Sequence, residues 1–275
     1  MHTRRNTFGL FGGALASAAS PAWAANKPLP DKLALYARAR GAANGARAMH
    51  WYTGTYWGKR TLDTAVALFK VNGFSFNKIE TQPDGSLVQN MIEVGFWCDP
   101  ATNQPVDKWI NPMNGLPCTP RHYKTPQTVR FDANGRAKRP PNAPEGMAYD
   151  AWITDPVESG DTVWIGETIL VKSITPPGTN ADPLENRVPI TTMTSLVNYA
   201  MQRKDIDAPA SAFLPSTMAF QSASNWYPWM RMGQELGQTM FQLTGRKVRS
   251  MEEVPPGLVR LIDERHPGWL KDPGV

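Results

Sequence analysis

From Ala46 onward the chain is written almost entirely in period two. In the first run His50, Tyr52, Gly54 and Tyr56 fall on one side, and Met49, Trp51, Thr53 and Trp57 on the other. Both sides are apolar or aromatic, which is the pattern of a strand covered on both faces. Strand-like runs return at residues 64–71, 74–80, 86–98, 122–131, 148–154, 161–172, 191–201 and 217–224, with shorter pieces at 238–243 and 247–249. Turn residues separate them. Asn72-Gly73 reads as a type I′ hairpin pair, and Pro83-Asp84-Gly85, Asp132-Ala133-Asn134-Gly135, Glu158-Ser159-Gly160 and Thr244-Gly245-Arg246 read as further turns.

Connections this short make neighbouring strands antiparallel, and roughly eight to ten of them in sequence close most economically into a barrel. The expected fold is therefore mainly β: an antiparallel β-barrel, lipocalin/calycin-like, with short terminal helices. A two-sheet β-sandwich is the alternative. The first helix follows Asp31 as N-cap, with Leu33, Leu35, Tyr36 and Ala39 available for burial before Gly41. At the other end Ser250 and Glu253 form a capping box, Pro255-Pro256 opens a helix, Leu258, Leu261 and Ile262 supply its stripe, and His266-Pro267 stops it.

Residues 1–24 read as a leader rather than as part of the fold. Arg4-Arg5 precede a Gly- and Ala-rich run, and Ala22-Trp23-Ala24 supplies a small-x-small cleavage site. The arginine pair makes this similar to a twin-arginine signal, which implies a periplasmic or secreted protein. Residues 25–275 are expected to be a single barrel-like domain. The leader run is short and glycine-rich for a membrane span, and no later segment reaches 18 consecutive apolar residues, so no stable membrane span is expected. Losing Arg4 and Arg5 lowers the formal charge from +5 to +3. The remaining basic clusters, Arg136-Ala137-Lys138-Arg139 and Arg246-Lys247-Val248-Arg249, are short and lack interleaved aromatics, which speaks against nucleic acid as a partner.

Residues 96–118 form the least ordinary stretch. Prolines, asparagines and tryptophans fill a long connection bracketed by Cys98 and Cys118, the only cysteines present. A long loop of this composition usually has a task. The cysteine pair is expected either as a disulfide, which an oxidising compartment would permit, or as two buried thiols.

Four histidines, no zinc spacing, no acidic calcium loop, no Gly-rich nucleotide loop and no nucleophile elbow leave no cofactor or metal to expect. The candidate chemistry is sparse. Glu167 shares a strand face with Val163, Ile165, Ile169 and Val171. A carboxylate there should be buried, either as a general acid or base with a raised pKa or as the partner of an arginine. His50, on the face of Tyr52 and Tyr56, and His122, just after the long loop, are the other catalytic candidates. Residues 225–233 read Asn-Trp-Tyr-Pro-Trp-Met-Arg-Met-Gly, an apolar slab with one charge. Arg231 is expected to anchor an acidic group or to pair with Glu167 or Asp107. Trp226, Trp229, Tyr52, Trp109 and Asn111 are the other candidate ligand contacts.

Two of these segments carry a resemblance. Asp99-x-x-Thr102-x-x-Pro105-Val106-x-x-Trp109-x-Asn111-Pro112-x-x-Gly115, followed by residues 226–233 and Gly245-Arg246-Lys247, is similar to the bacterial and fungal family called domain of unknown function number 1838. Gln104 stands where that family usually has an acidic residue. The resemblance agrees with an export signal and implies no reaction, cofactor or catalytic residue. The expectation is a barrel that binds a small apolar or aromatic molecule. The alternative is a cofactor-independent isomerase, cyclase or lyase that uses a buried carboxylate or histidine.

Overall fold

The computed structural model describes residues 27–42, 45–139, 146–174, 182–185, 190–210 and 212–274. The expected leader and most of the polar connection at 175–189 lie outside the described residues. Strands β1 (Ala48–Arg60), β2 (Val66–Thr81) and β3 (Leu87–Cys98) open a meander. The loop after β3 holds two short strands, β4 (Trp109–Ile110) and β5 (Pro117–Cys118), paired with each other. Next come β6 (Tyr123–Phe131), β7 (Ala137–Lys138), β8 (Ala148–Ile153), β9 (Val157–Ser159), β10 (Thr162–Ile174), β11 (Ile190–Gln202), β12 (Thr217–Ser224) and β13 (Gly237–Val248).

β13 returns to pair with β1, so the main sheet runs β7-β6-β3-β2-β1-β13-β12-β11-β10-β8, antiparallel throughout, with β9 added on β10. Its two ends touch. Arg136 bridges Trp152, and Ile153 N–H donates to the Gly135 carbonyl at 2.9 Å. The sheet therefore curls on itself as a barrel and does not split into the two layers of a sandwich. Contact at this seam is local. Among the described residues, 123–128 of β6 pair with β3 on one side only.

Helix α1 (Lys32–Arg40) closes one end. Leu33, Tyr36 and Arg40 follow one helical stripe and Leu35 and Ala39 another, and all five are buried. A helix covered on more than one side is a plug, not a surface helix. Asp31 caps it, accepting from Leu33 N–H at 2.9 Å. At its far end Lys247 Nζ donates to the carbonyls of Arg38 and Gly41 at 2.6 and 2.7 Å, and Ser216 Oγ donates to the Ala39 carbonyl at 2.8 Å. These bonds fill carbonyls that a helix end leaves open. Helix α2 (Arg203–Ile206) is a single turn after β11. Helix α3 (Pro256–Arg265) lies outside the barrel. Its buried Leu258 and Ile262 join Phe74, Phe76, Ile92, Val94 and Phe96 in one apolar cluster. Among the described residues no helix is long and apolar enough to cross a membrane.

Two expected turns are absent. β2 runs unbroken through Asn72-Gly73, and β13 runs unbroken through Thr244-Gly245-Arg246. Both glycines stand opposite Tyr52 in the register. A Cβ on Gly73 would lie 2.2 Å from the Tyr52 ring, and one on Gly245 would lie 2.8 Å from Tyr52 Cβ. They are glycines because a neighbouring aromatic residue occupies the space, not because the chain reverses there.

Candidate functional site

The long loop and the tryptophan-rich slab make one lid over the barrel end opposite α1. Asn111 Nδ2 donates to the Met230 carbonyl at 2.8 Å, and Asn114 Nδ2 donates to the Arg231 carbonyl at 3.1 Å. Cys118 Sγ reaches the Met230 carbonyl at 3.5 Å, and Arg231 Nη1 donates to the Pro117 carbonyl. Arg231 itself adopts the left-handed conformation, φ 55°. Beneath these clamps lies an aromatic layer. Trp229 packs on Trp97, Phe69 and Trp109 with centroids 5.6, 5.9 and 6.1 Å apart, and Tyr227 stacks on Tyr56 at 6.0 Å.

Below the lid the inner wall carries one row of unusual chemistry. Gly245, Tyr52, Gly73, Gly95 and Tyr123 stand side by side across five strands. The Tyr52 ring lies flat over Gly73. The Tyr123 ring lies over Gly95, where a Cβ would come within 1.9 Å of it. The two phenols thus point toward each other, with oxygens 2.9 Å apart. Tyr52 Oη also donates to Glu93 Oε2 at 3.2 Å. Glu93 Oε1 takes no hydrogen bond from any described residue. Burial raises the pKa of Glu93, against Arg40 and Tyr52, which lower it. Burial also holds Tyr52 and Tyr123 above the ordinary phenol value.

Glu93 and Tyr123 nevertheless keep accessible surface, as do Thr125, Tyr149, Ile169, Phe220 and Tyr227. All but Tyr227 share the inward parity of their strands; Tyr227 hangs from the lid. The chain has seven tyrosines, Tyr36, Tyr52, Tyr56, Tyr123, Tyr149, Tyr199 and Tyr227, and burial raises the pKa of each, Tyr199 and Tyr227 to about 12. Of these, Tyr36, Tyr56 and Tyr199 are packed in the core, and Tyr123, Tyr149 and Tyr227 keep partial exposure.

A second polar cluster sits deeper, against the plug. Arg40 Nη1 pairs with Glu167 Oε2, and Tyr36 Oη donates to the same oxygen at 2.8 Å. The Gln89 amide satisfies both neighbours with its oxygen on Arg40 Nη2 (3.0 Å) and its nitrogen on Tyr36 Oη (3.1 Å). Arg40 Nε donates to Asn77 Oδ1 at 3.3 Å, and Asn77 Nδ2 donates to His50 Nδ1 at 3.3 Å. Burial, with Lys247 and Arg40 nearby, lowers the His50 pKa to about 3, so the ring is neutral. Each member of this cluster bonds another, and the buried His50 Nε2 has no hydrogen-bond partner among the described residues. The cluster holds the plug in register and has little left to offer a ligand.

The expected site residues therefore divide. Glu167 is buried as expected, 2% exposed, but its carboxylate serves Arg40 rather than an open space. His50 is a structural member of the same cluster. His122 lies on the outer side. Its Nδ1 accepts from Trp97 N–H at 3.0 Å, its Nε2 is 3.3 Å from Asp107, and Asp107 is held by Arg265 of α3. The three catalytic candidates do not converge. Arg231 pairs with Asp182 at 2.6 Å, neither Glu167 nor Asp107, and borders an outer cleft with Arg60, Leu62 and Leu236. Asn111 and Trp226 are lid fasteners, the latter donating its indole N–H to the Glu235 carbonyl at 2.8 Å. Trp229 and Trp109 form the lid's aromatic layer, and Tyr52 alone faces the polar row. No disulfide joins Cys98 and Cys118. Both are free buried thiols, Cys98 in the outer cluster under α3 and Cys118 in the lid cluster, on opposite sides of the wall.

Glu93, Tyr123, Tyr227, Tyr36 and Arg40 were not foreseen. The alternation in β3 puts its most apolar face, Ile92, Val94 and Phe96, under α3, so the polar face that carries Gln89 and Glu93 turns inward. Gly73 and Gly95 were the available signal, since each marks a tyrosine ring lying across the wall.

Fold and site together define an antiparallel barrel-like sheet, plugged by α1 and lidded by two loops, with tyrosines on its inner face. The family read from the motifs is the one found: residues 188–274 match the family model described as Protein of unknown function (DUF1838). That stretch carries β11 to α3, including the slab half of the lid; the other half, residues 99–118, lies outside the match and is clamped to it. The comparison with curated proteins and that with solved structures return no match.

Proposed function

We propose that this chain is an exported protein that binds a small, largely aromatic molecule inside its barrel. The observation that carries this reading is the set of inward-facing residues, Glu93, Tyr123, Tyr149, Ile169, Phe220 and Tyr227, that keep accessible surface within the wall. Apolar and aromatic walls with a few convergent polar groups are the usual form of a small-molecule site. The leader-like residues 4–24 support export. The unpaired edge of β6 leaves the interior a lateral approach among the described residues. Native mass spectrometry of protein purified from its own host tests the reading. A co-purified molecule of a few hundred daltons, released on denaturation, supports it. Only the bare polypeptide mass, together with no binding of any aromatic probe, contradicts it.

One observation favours a second reading, a cofactor-independent isomerase, cyclase or lyase. Glu93, its pKa raised by burial, is bonded to a pair of phenols, and such groups exchange protons with a substrate. In that case Glu93, not Glu167 or His122, is the acid–base group. Glu93→Gln then abolishes turnover, while Glu167→Gln acts through stability alone.

A further inference from the structure

The row on the inner wall has a direction. We propose that Glu93, Tyr52 and Tyr123 form a hydrogen-bond relay whose open end, at Tyr123 Oη, receives the hydroxyl oxygen of a planar phenolic or enolic ligand. This rests on the binding reading above and names the chemical class bound. The relay is set by backbone register. Tyr52 and Tyr123 lie over Gly73 and Gly95, where any added Cβ would collide with the rings. The spacings, 3.2 Å from Tyr52 Oη to Glu93 Oε2 and 2.9 Å from Tyr52 Oη to Tyr123 Oη, are hydrogen-bond lengths.

A chain of two phenols and a carboxyl reverses with the carboxyl's protonation. With Glu93 neutral, its O–H donates to Tyr52, Tyr52 donates to Tyr123, and Tyr123 donates outward to a ligand oxygen. With Glu93 ionised, every O–H turns toward the carboxylate, and Tyr123 Oη accepts from the ligand. A hydroxyl is the group that meets both states, since it donates and accepts. A ketone meets only the first and an ammonium group only the second. The surroundings select the rest of the molecule. Trp97 stands edge-on to both Tyr123 and Tyr227, each 6.3 Å away, which sets aromatic faces beside the relay's end. A flat ring gains contact there, and its hydroxyl meets the Tyr123 end of the relay.

The test is calorimetric titration of the whole mature chain with 4-nitrophenol and, separately, with nitrobenzene, which has the same ring and no hydroxyl. The expected result is at least tenfold tighter binding of 4-nitrophenol. Tyr123→Phe, which keeps the ring over Gly95, should erase that preference and leave nitrobenzene affinity unchanged within about twofold. Tyr52→Phe breaks the relay one step back and should weaken 4-nitrophenol severalfold. Melting temperatures of both variants within a few degrees of the parent show that the fold is intact. Equal affinity for the two probes, or 4-nitrophenol binding unaltered in Tyr123→Phe, overturns the relay and leaves the barrel-binding reading standing. No binding of either probe overturns the relay and counts against the binding reading as well.

Discussion

Replacing Glu167 by Gln gives the sharpest test of how the plug is held. Glu167 is 2% exposed and Arg40 is 8% exposed. One carboxylate oxygen takes both the Arg40 guanidinium and the Tyr36 hydroxyl. The glutamine side chain has the same shape and keeps an acceptor, so the wall repacks little. It loses the charge, and Arg40 is left buried without a counter-ion. Removing one member of a buried pair costs roughly 3–5 kcal/mol, because the partner remains desolvated. A chain of this size loses about 2–4 °C in melting temperature per kcal/mol, so the expected drop is on the order of 6–20 °C. That is a large share of a typical total stability of about 5–15 kcal/mol. Urea unfolding followed by tryptophan fluorescence, with thermal melts by circular dichroism, reads both quantities. The double replacement Arg40→Met with Glu167→Leu should recover at least half of the loss, since it removes both charges together. A loss below about 1 kcal/mol for Glu167→Gln, or a double variant worse than the single one, refutes the argument that this pair secures the plug.

Three further outcomes are expected. The His50 pKa is about 3 in the folded chain against 6.5 in the open one, so its contribution is complete above pH 6.5 and is lost as the pH falls toward 3. Unfolding free energies from urea titrations between pH 7 and pH 4 should fall less steeply in His50→Gln than in the parent, by up to about 1.4 kcal/mol per pH unit, and parallel slopes contradict the assignment. Gly95→Ala places a Cβ 1.9 Å from the Tyr123 ring and should cost about 1–3 kcal/mol while displacing that ring; a variant that melts with the parent shows that Tyr123 does not lie there. Both thiols are free and buried, so a thiol reagent without reductant should label neither cysteine quickly in native protein and both in urea, whereas a mass two hydrogens lighter with no labelling in urea establishes a disulfide.

Much of the wall was legible because strand burial follows local alternation. The run ending at Ser224 begins at Thr217 in both readings, and the helix after Asp31 begins and ends where its cap and Gly41 place it. The turns at Gly85 and Gly135 hold, with φ of 81° and 79°. Gly73 and Gly245 were misread because a strand glycine and a turn glycine look alike in one dimension. What distinguishes them is Tyr52, which lies between them in the sheet, at least 20 positions from either in sequence. The site was harder to read for a related reason. Which face of β3 turns inward depends on α3, more than 150 residues later, covering the other face. Glu93 therefore reads as a surface carboxylate until the wall is curled. The role of α1 as a plug was equally hidden, since its length and composition fit any short helix and Arg40 looks like an ordinary last-turn cation. The motif residues identified the lid well and the ligand poorly. Asn111 and Arg231 fasten the two loops to each other, and of the groups facing the interior only Tyr227 belongs to a motif.

The central claim is that the wall encloses a usable hollow with Tyr123 and Glu93 at its polar end. A crystal structure of the protein grown with 4-nitrophenol tests this most directly. The account predicts ring density inside the wall, between Tyr123 and Tyr227, with the ligand oxygen about 3 Å from Tyr123 Oη. A filled interior in which Tyr123, Tyr149, Phe220 and Tyr227 pack against one another, with the probe only in the outer cleft by Arg231 or nowhere, contradicts it.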